Sequence, residues 1–155
     1  MNAQAALFGV EQQQITKDDH YTPKWIFDLL GLRFDIDVAS PPGGIPWIPA
    51  DKYYTQADDG LLQPWHGRIW CNPPFSKPGP WADRMIEHNN GLFLCCVSKS
   101  AWMARIWDSQ AKIWLMPPTT KFQRPDGAAS ISFPTFIAAF GIENQTALTN
   151  LGVVR

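Results

Sequence analysis

The sequence has 155 residues, enough for one domain with a real core and too few for a catalytic domain plus a sizeable separate recognition domain. Its 45% hydrophobic and 17% charged residues exclude a disordered tail, and a formal net charge of −1 excludes nucleic-acid binding through bulk positive charge. A polyanion would have to be met by a local patch. Cys71, Cys95 and Cys96 have no zinc spacing and no disulfide framework, so small buried thiols in a reducing compartment are expected. His20, His66 and His88 fit no ligand spacing, are read as structural or surface residues, and leave no metal site to predict. No apolar run approaches the roughly 18 residues of a membrane helix, and the first residues lack a secretion signal. An intracellular protein with no membrane association is the expectation.

Residues 1–17 are Gln-rich and weakly patterned, which predicts a flexible arm before a domain over 18–155. Residues 22–30 carry Trp25, Ile26, Leu29 and Leu30 at helical spacing, with Thr22 as N-cap, Pro23 in the first turn and Gly31 as the stop. A strand follows at 34–38, then a loop over 41–50 and an acidic turn at Asp58-Asp59-Gly60. Residues 68–71 form a short apolar strand that runs into two prolines. A helix is predicted over 80–90 with Gly91 closing it, and a buried strand over 92–97. A second helix over 101–110 and a strand at 113–116 come next. An irregular stretch over 117–134 leads to a last strand over 133–140. Strands alternating with helices predict a single α/β domain, with a mostly parallel central sheet flanked by helices. Ligands of such sheets lie beyond the carboxyl ends of the strands, which directs attention to Asp37, Asp58, Asp59 and residues 72–75.

Asn72-Pro73-Pro74-Phe75 is the most specific signal. Prolines after a strand often make only a rigid turn, but that does not account for the asparagine, the aromatic residue and the strand-end position together. An amino-group methylation site does. The amino nitrogen of adenine or cytosine is a poor nucleophile because its lone pair is delocalised into the ring. Accepting hydrogen bonds from both amino protons favours a tetrahedral nitrogen, and the Asn72 side-chain oxygen and the Pro73 carbonyl can supply the two acceptors. Pro73 and Pro74 fix that carbonyl in extended geometry, and Phe75 can stack on a base turned out of the helix.

Tyr21-Thr22-Pro23, Phe34-Asp35-Ile36-Asp37-Val38-Ala39-Ser40, Asp58-Asp59-Gly60-Leu61 and Trp70-Cys71-Asn72-Pro73-Pro74-Phe75 together resemble the phage-type, Dam-like DNA N6-adenine methyltransferases. The likeness runs from about residue 18 to residue 140 with motif order preserved. It implies a Rossmann-like fold, S-adenosylmethionine as cofactor, DNA as partner, and a cytoplasmic setting in the bacterial host of a phage or prophage. It further implies cofactor contacts at Tyr21, Thr22, Pro23, Asp37, Ala39 and either Asp58 or Asp59, the last two being equally able to cap a turn around Gly60. Two features depart from the pattern. The glycine turn after the first strand reads Ala39-Ser40-Pro41-Pro42-Gly43-Gly44, and Phe75 stands where tyrosine is commoner. Of the basic residues, Lys121 and Arg124 in the 117–134 stretch are expected to touch DNA phosphates, while Lys99, Arg105 and Lys112 read as ordinary solvated charges. The same chemistry would serve N4-cytosine methylation, or methylation of RNA or a glutamine side chain. A catalytically decayed module that binds DNA or a partner is the alternative from another class.

Overall fold

Six strands form one mixed sheet in the order β2-β1-β3-β4-β8-β5, where β1 is Phe34–Asp37, β2 Ala50–Tyr53, β3 Ile69–Cys71, β4 Gly91–Cys96, β5 Lys112–Leu115 and β8 Thr135–Phe140. The computed structural model describes residues 20–130 and 133–155, so the arm expected over 1–17 lies outside the described residues. β2, β1, β3 and β4 pair in parallel, whereas β8 runs antiparallel to both β4 and β5. The expected mostly parallel sheet is therefore partly antiparallel. The reversal belongs to β8 alone, because β5 shares the direction of β4.

Helices α1 (Lys24–Leu30), α2 (Gly79–His88), α3 (Ala101–Asp108) and α4 (Ile142–Leu148) cover the sheet. Alternation along β4 divides the core in two. Leu92 and Leu94 pack with Phe27 and Leu30 of α1 and Leu148 of α4, while Phe93 and Cys95 pack with Met85 of α2 and Ile106 of α3. The three cysteines are free thiols, with Cys71 and Cys95 buried in the second layer. No helix among the described residues is long and apolar enough to cross a membrane.

Several local expectations need correction. The stripe that α1 buries is Ile26, Phe27 and Leu30, whereas Trp25 and Leu29 are about half exposed. Its N-cap is Pro23 rather than Thr22, whose side chain is buried and makes no capping bond. Gly31 does end α1, at φ 65. At the end of α2 it is Asn89 that turns left-handed and closes the helix onto the Met85 carbonyl; Gly91 instead opens β4, where a Cβ would stand 2.3 Å from the Ile69 carbonyl oxygen. The stretch over 117–134 is not irregular throughout, since β6 (Lys121–Arg124) and β7 (Gly127–Ser130) form a two-stranded antiparallel ribbon. The edge strand β2 and helix α4 are additions to the predicted elements.

A polar lock ties the amino ends of the strands to α4. The Asn144 amide, 1% exposed, donates to the Phe140 carbonyl at 2.7 Å and to Asn90 Oδ1 at 2.8 Å, and accepts from Arg68 Nε at 2.6 Å. Asn144→Ala leaves those partners unsatisfied in a dry setting. We expect a loss of about 2–4 kcal/mol in denaturant unfolding, with an unchanged denaturant slope.

Candidate active site

From β1 the chain moves to β2 on one side and then crosses to β3 on the other, so the sheet order reverses between β1 and β3. In open sheets of this kind ligands are held beyond the carboxyl ends of the strands at such a reversal. Asp37, the last residue of β1, pairs in register with Trp70, and Asn72 follows the end of β3 directly. The structure thus gathers the motifs at 37–44 and 72–75 at one rim.

Asn72 is half-buried, and its Nδ2 donates to the His20 main-chain carbonyl at 2.8 Å. The amide is thereby oriented, and Oδ1 has no partner among the described residues. The Pro73 carbonyl likewise accepts no bond from a described group, while the Pro74 carbonyl accepts from Lys77 N–H at 3.2 Å and curls the loop. The Phe75 ring lies parallel to the His20 imidazole, 6.1 Å between centroids and 5° between planes, and edge-on to Phe133 at 6.0 Å. His20 is therefore built into this site, which its reading as a merely structural or surface histidine did not anticipate. Its place directly before Tyr21-Thr22-Pro23 was the available signal.

Residues 20–23 form a strap beside the loop. Tyr21 N–H donates to the Gln123 carbonyl at 2.7 Å and Gln123 N–H donates back at 2.9 Å, which zips the strap onto β6. The Trp47 indole donates to the Thr22 carbonyl at 2.7 Å. The Thr22 hydroxyl is fully buried and unpartnered, an arrangement that proteins keep rare.

Asp37 is 3% exposed rather than a solvated strand-end carboxylate. Its Oδ1 accepts the Ala39 N–H at 3.3 Å, and no cationic side chain among the described residues pairs with it. Burial raises its pKa from 3.8 to about 7, against the lowering effect of the Ala39 bond. Burial, and then the nearby Asp37 charge, push the Cys71 thiol well up, so it stays protonated and serves packing. After Ala39 and Ser40 the chain turns at 41–44, closed by Gly44 N–H on the Pro41 carbonyl at 3.0 Å, with Gly43 and Gly44 at φ 82 and 76. The glycines thus stay on the β1–β2 crossing although they are displaced in sequence. No helix follows β1, so the helix N-terminus that cradles a pyrophosphate in dinucleotide sites is missing among the described residues.

Asp58 acts as a turn cap: its Oδ2 accepts from Thr55 N–H at 2.8 Å and Thr55 Oγ1 at 3.1 Å. Asp59 is exposed with φ 57. The turn reaches the rim through Gly60, where a Cβ would lie 2.0 Å from the Val38 carbonyl oxygen. Only glycine permits that approach. Arg84 of α2 clamps the far side by donating to the carbonyls of Gly60, Leu61 and Gln63, with its guanidinium 4.6 Å from the Trp65 ring.

On the ribbon, Lys121 is exposed, whereas Arg124 is mostly buried, pairing with Asp126 at 3.2 Å and placing Nη1 3.1 Å from His20 Nε2. Exposed Lys77 and Lys99 follow the carboxyl ends of β3 and β4. Among the described residues no group of three or more His, Cys, Asp or Glu could hold a metal ion.

A family model described as DNA N-6-adenine-methyltransferase (Dam) matches residues 10–101, more than half of the sequence. The chain belongs to that family. Its curated relatives include the DNA N-6-adenine-methyltransferase of Escherichia phage T1, 26% identical over 125 residues that cover 73% of this chain and 51% of the phage protein. A second, of the same description from Haemophilus phage HP1 (strain HP1c1), is 30% identical over 78 residues, 47% of this chain and 43% of the relative. The chain thus spans about half the length of the curated relatives it matches. No solved structure is significantly similar to it.

Proposed function

We propose that this chain is a methyltransferase that carries a methyl group from S-adenosylmethionine to the N6 amino group of adenine in DNA, on a Rossmann-like fold read in the β2-β1-β3-β4 strand order. One observation carries the proposal: the Asn72 amide is oriented by the His20 carbonyl, and its Oδ1 and the carbonyl of buried Pro73, side by side after β3, have no hydrogen-bond partner among the described residues. The phage relatives point to adenine, and DNA places the reaction inside a bacterial host.

The residues present suit this cofactor. A buried carboxylate at Asp37, with no cationic side chain paired to it among the described residues, is matched to an ammonium group, and the orphaned Thr22 hydroxyl is a second buried polar group left without a partner. Among the described residues no helix follows β1 to form a pyrophosphate cradle, which disfavours a dinucleotide in the same place. Tyr21, Pro23, Ala39 and one of Asp58 or Asp59 would complete the cofactor walls, with Gly60 bringing that last turn against β1. When bound, S-adenosylmethionine supplies an electrophilic methyl group.

Asn72 Oδ1 and the Pro73 carbonyl would hold the two amino protons of the extruded base. Positive charge grows on the nitrogen during attack, so both bonds strengthen on the way to the transition state, and that difference is what accelerates the reaction. Pro74 keeps the Pro73 carbonyl extended, and Phe75 sets the plane of the base. Cys71 takes no part, and the chemistry proposed needs no covalent enzyme intermediate.

Phosphate contact would fall to Lys121, Lys77 and Lys99, since Arg124 is engaged with Asp126 and His20. Lys121→Ala should weaken DNA binding across all sequences and lower the slope of log affinity against log salt by about 0.9. An unchanged slope in a filter-binding titration would remove Lys121 from the interface. The reaction itself is tested by incubating the protein with labelled S-adenosylmethionine and DNA, then identifying the modified nucleoside by mass spectrometry. N6-methyl-2′-deoxyadenosine is the expected product. N4-methyl-2′-deoxycytidine would move the assignment to the neighbouring base, and no transfer would leave a binding module.

A further inference from the structure

We infer that His20 is the positioning residue of the catalytic loop, fixing both the rotation of the Asn72 amide and the plane of Phe75; the inference rests on the methyl-transfer reading above. An asparagine amide presents an acceptor to the substrate in only one of its two flips. Here the choice is made by the His20 carbonyl, which accepts from Nδ2 at 2.8 Å and so leaves Oδ1 without a partner among the described residues. The carbonyl is in turn held by its own side chain. The imidazole lies parallel to Phe75 at 6.1 Å and edge-on to buried Phe122 of the ribbon at 6.3 Å, and its Nε2 stands 3.1 Å from Arg124 Nη1.

Arginine can only donate, so Nε2 is the acceptor in that bond and carries no proton. One residue therefore joins three things: the acceptor amide, the stacking aromatic and the ribbon. The next residue, Tyr21, is paired with Gln123 through both its backbone groups, so the strap cannot drift away from β6. His20 touches no reacting atom in this arrangement. Its effect reaches the chemistry through Asn72 and Phe75.

The test compares wild type with His20→Ala, His20→Gln and His20→Phe in labelled methyl transfer to unmethylated plasmid DNA, with cofactor affinity by calorimetry and thermal midpoints measured alongside. His20→Ala is expected to lower kcat about 30-fold, the scale of a misplaced catalytic group, and to leave cofactor affinity and the KM for DNA within about threefold. His20→Gln keeps an acceptor for Arg124 and should recover most of kcat, whereas His20→Phe keeps the ring but loses that acceptor and should stay impaired. A His20→Ala protein as fast as wild type overturns the positioning role alone. So does a loss shared equally by kcat, cofactor affinity and thermal midpoint in all three variants, because that pattern is general loosening. An inactive wild type overturns the methyl-transfer reading and this role with it.

Discussion

Asn72→Ala is expected to reduce the single-turnover rate of methyl transfer by roughly 10²–10³-fold, the loss seen when one preorganised hydrogen-bond partner of a developing charge is removed. The change deletes the side-chain acceptor and leaves only the Pro73 carbonyl facing the amino group. It also removes the bond from Asn72 Nδ2 to the His20 carbonyl. Because Asn72 is only half-buried, that second effect should cost about 1 kcal/mol of stability and leave the fold intact. Cofactor affinity should change less than about threefold, since Asp37 and Thr22 lie outside the altered bond. A variant that turns over at the wild-type rate would show that the Asn72 oxygen is not an acceptor in the transition state. A variant that is slow only because it no longer binds cofactor would place Asn72 in the cofactor site instead.

The visibility of this loop in the sequence has a physical reason. Two prolines after a short apolar strand leave few backbone conformations, so residues 69–75 could be placed from local information alone. Gly31 was legible in the same way, as a helix stop that only needs its own φ. The features that were not legible depend on chain segments far apart in sequence. The bond from Asn72 to His20 spans 52 residues, and Arg124 reaches the same histidine across 104. No period or composition carries such a pairing.

Strand direction is equally silent: Thr135–Phe140 is buried throughout, as a parallel central strand would be, and only its partners reveal that it runs backwards. β2 lacks an apolar face because Asp51, Lys52 and Tyr53 lie exposed at an edge. In α4 a buried asparagine, Asn144, occupies a core position and hides the helical stripe. The acidic turn at 58–60 was readable as a turn, but its contact with β1 through Gly60 was not, since that depends on where Val38 presents its carbonyl.

Asp37→Asn should stabilise the protein at neutral and alkaline pH while weakening cofactor binding, and the opposite signs make the experiment informative. The folded protein raises the Asp37 pKa from 3.8 to about 7, chiefly by burial. Folding therefore favours the protonated carboxyl. The stability this contributes is complete below about pH 4 and is lost progressively as pH rises to 7 and beyond. At roughly 1.4 kcal/mol per pH unit, the ionised carboxylate costs the cofactor-free protein on the order of 4 kcal/mol above pH 7. An uncharged amide of the same shape escapes that cost, so the thermal midpoint of Asp37→Asn should match wild type near pH 4 and exceed it increasingly up to pH 8. A carboxylate kept buried at that cost, with no cationic side chain paired to it among the described residues, is what a site for a cationic ligand requires. Binding of an ammonium group would draw the proton off, so wild-type cofactor affinity should fall up to about tenfold for each pH unit below 7. Asp37→Asn should bind about 10–100-fold more weakly at pH 8, with an affinity nearly independent of pH through this range. Calorimetry in two buffers of different ionisation enthalpy would detect the released proton near pH 6.5 in wild type and none in the variant. If Asp37→Asn gained no stability at pH 8, the carboxylate would have to be solvated or paired, and its place as the cation-binding group at the end of β1 would be lost.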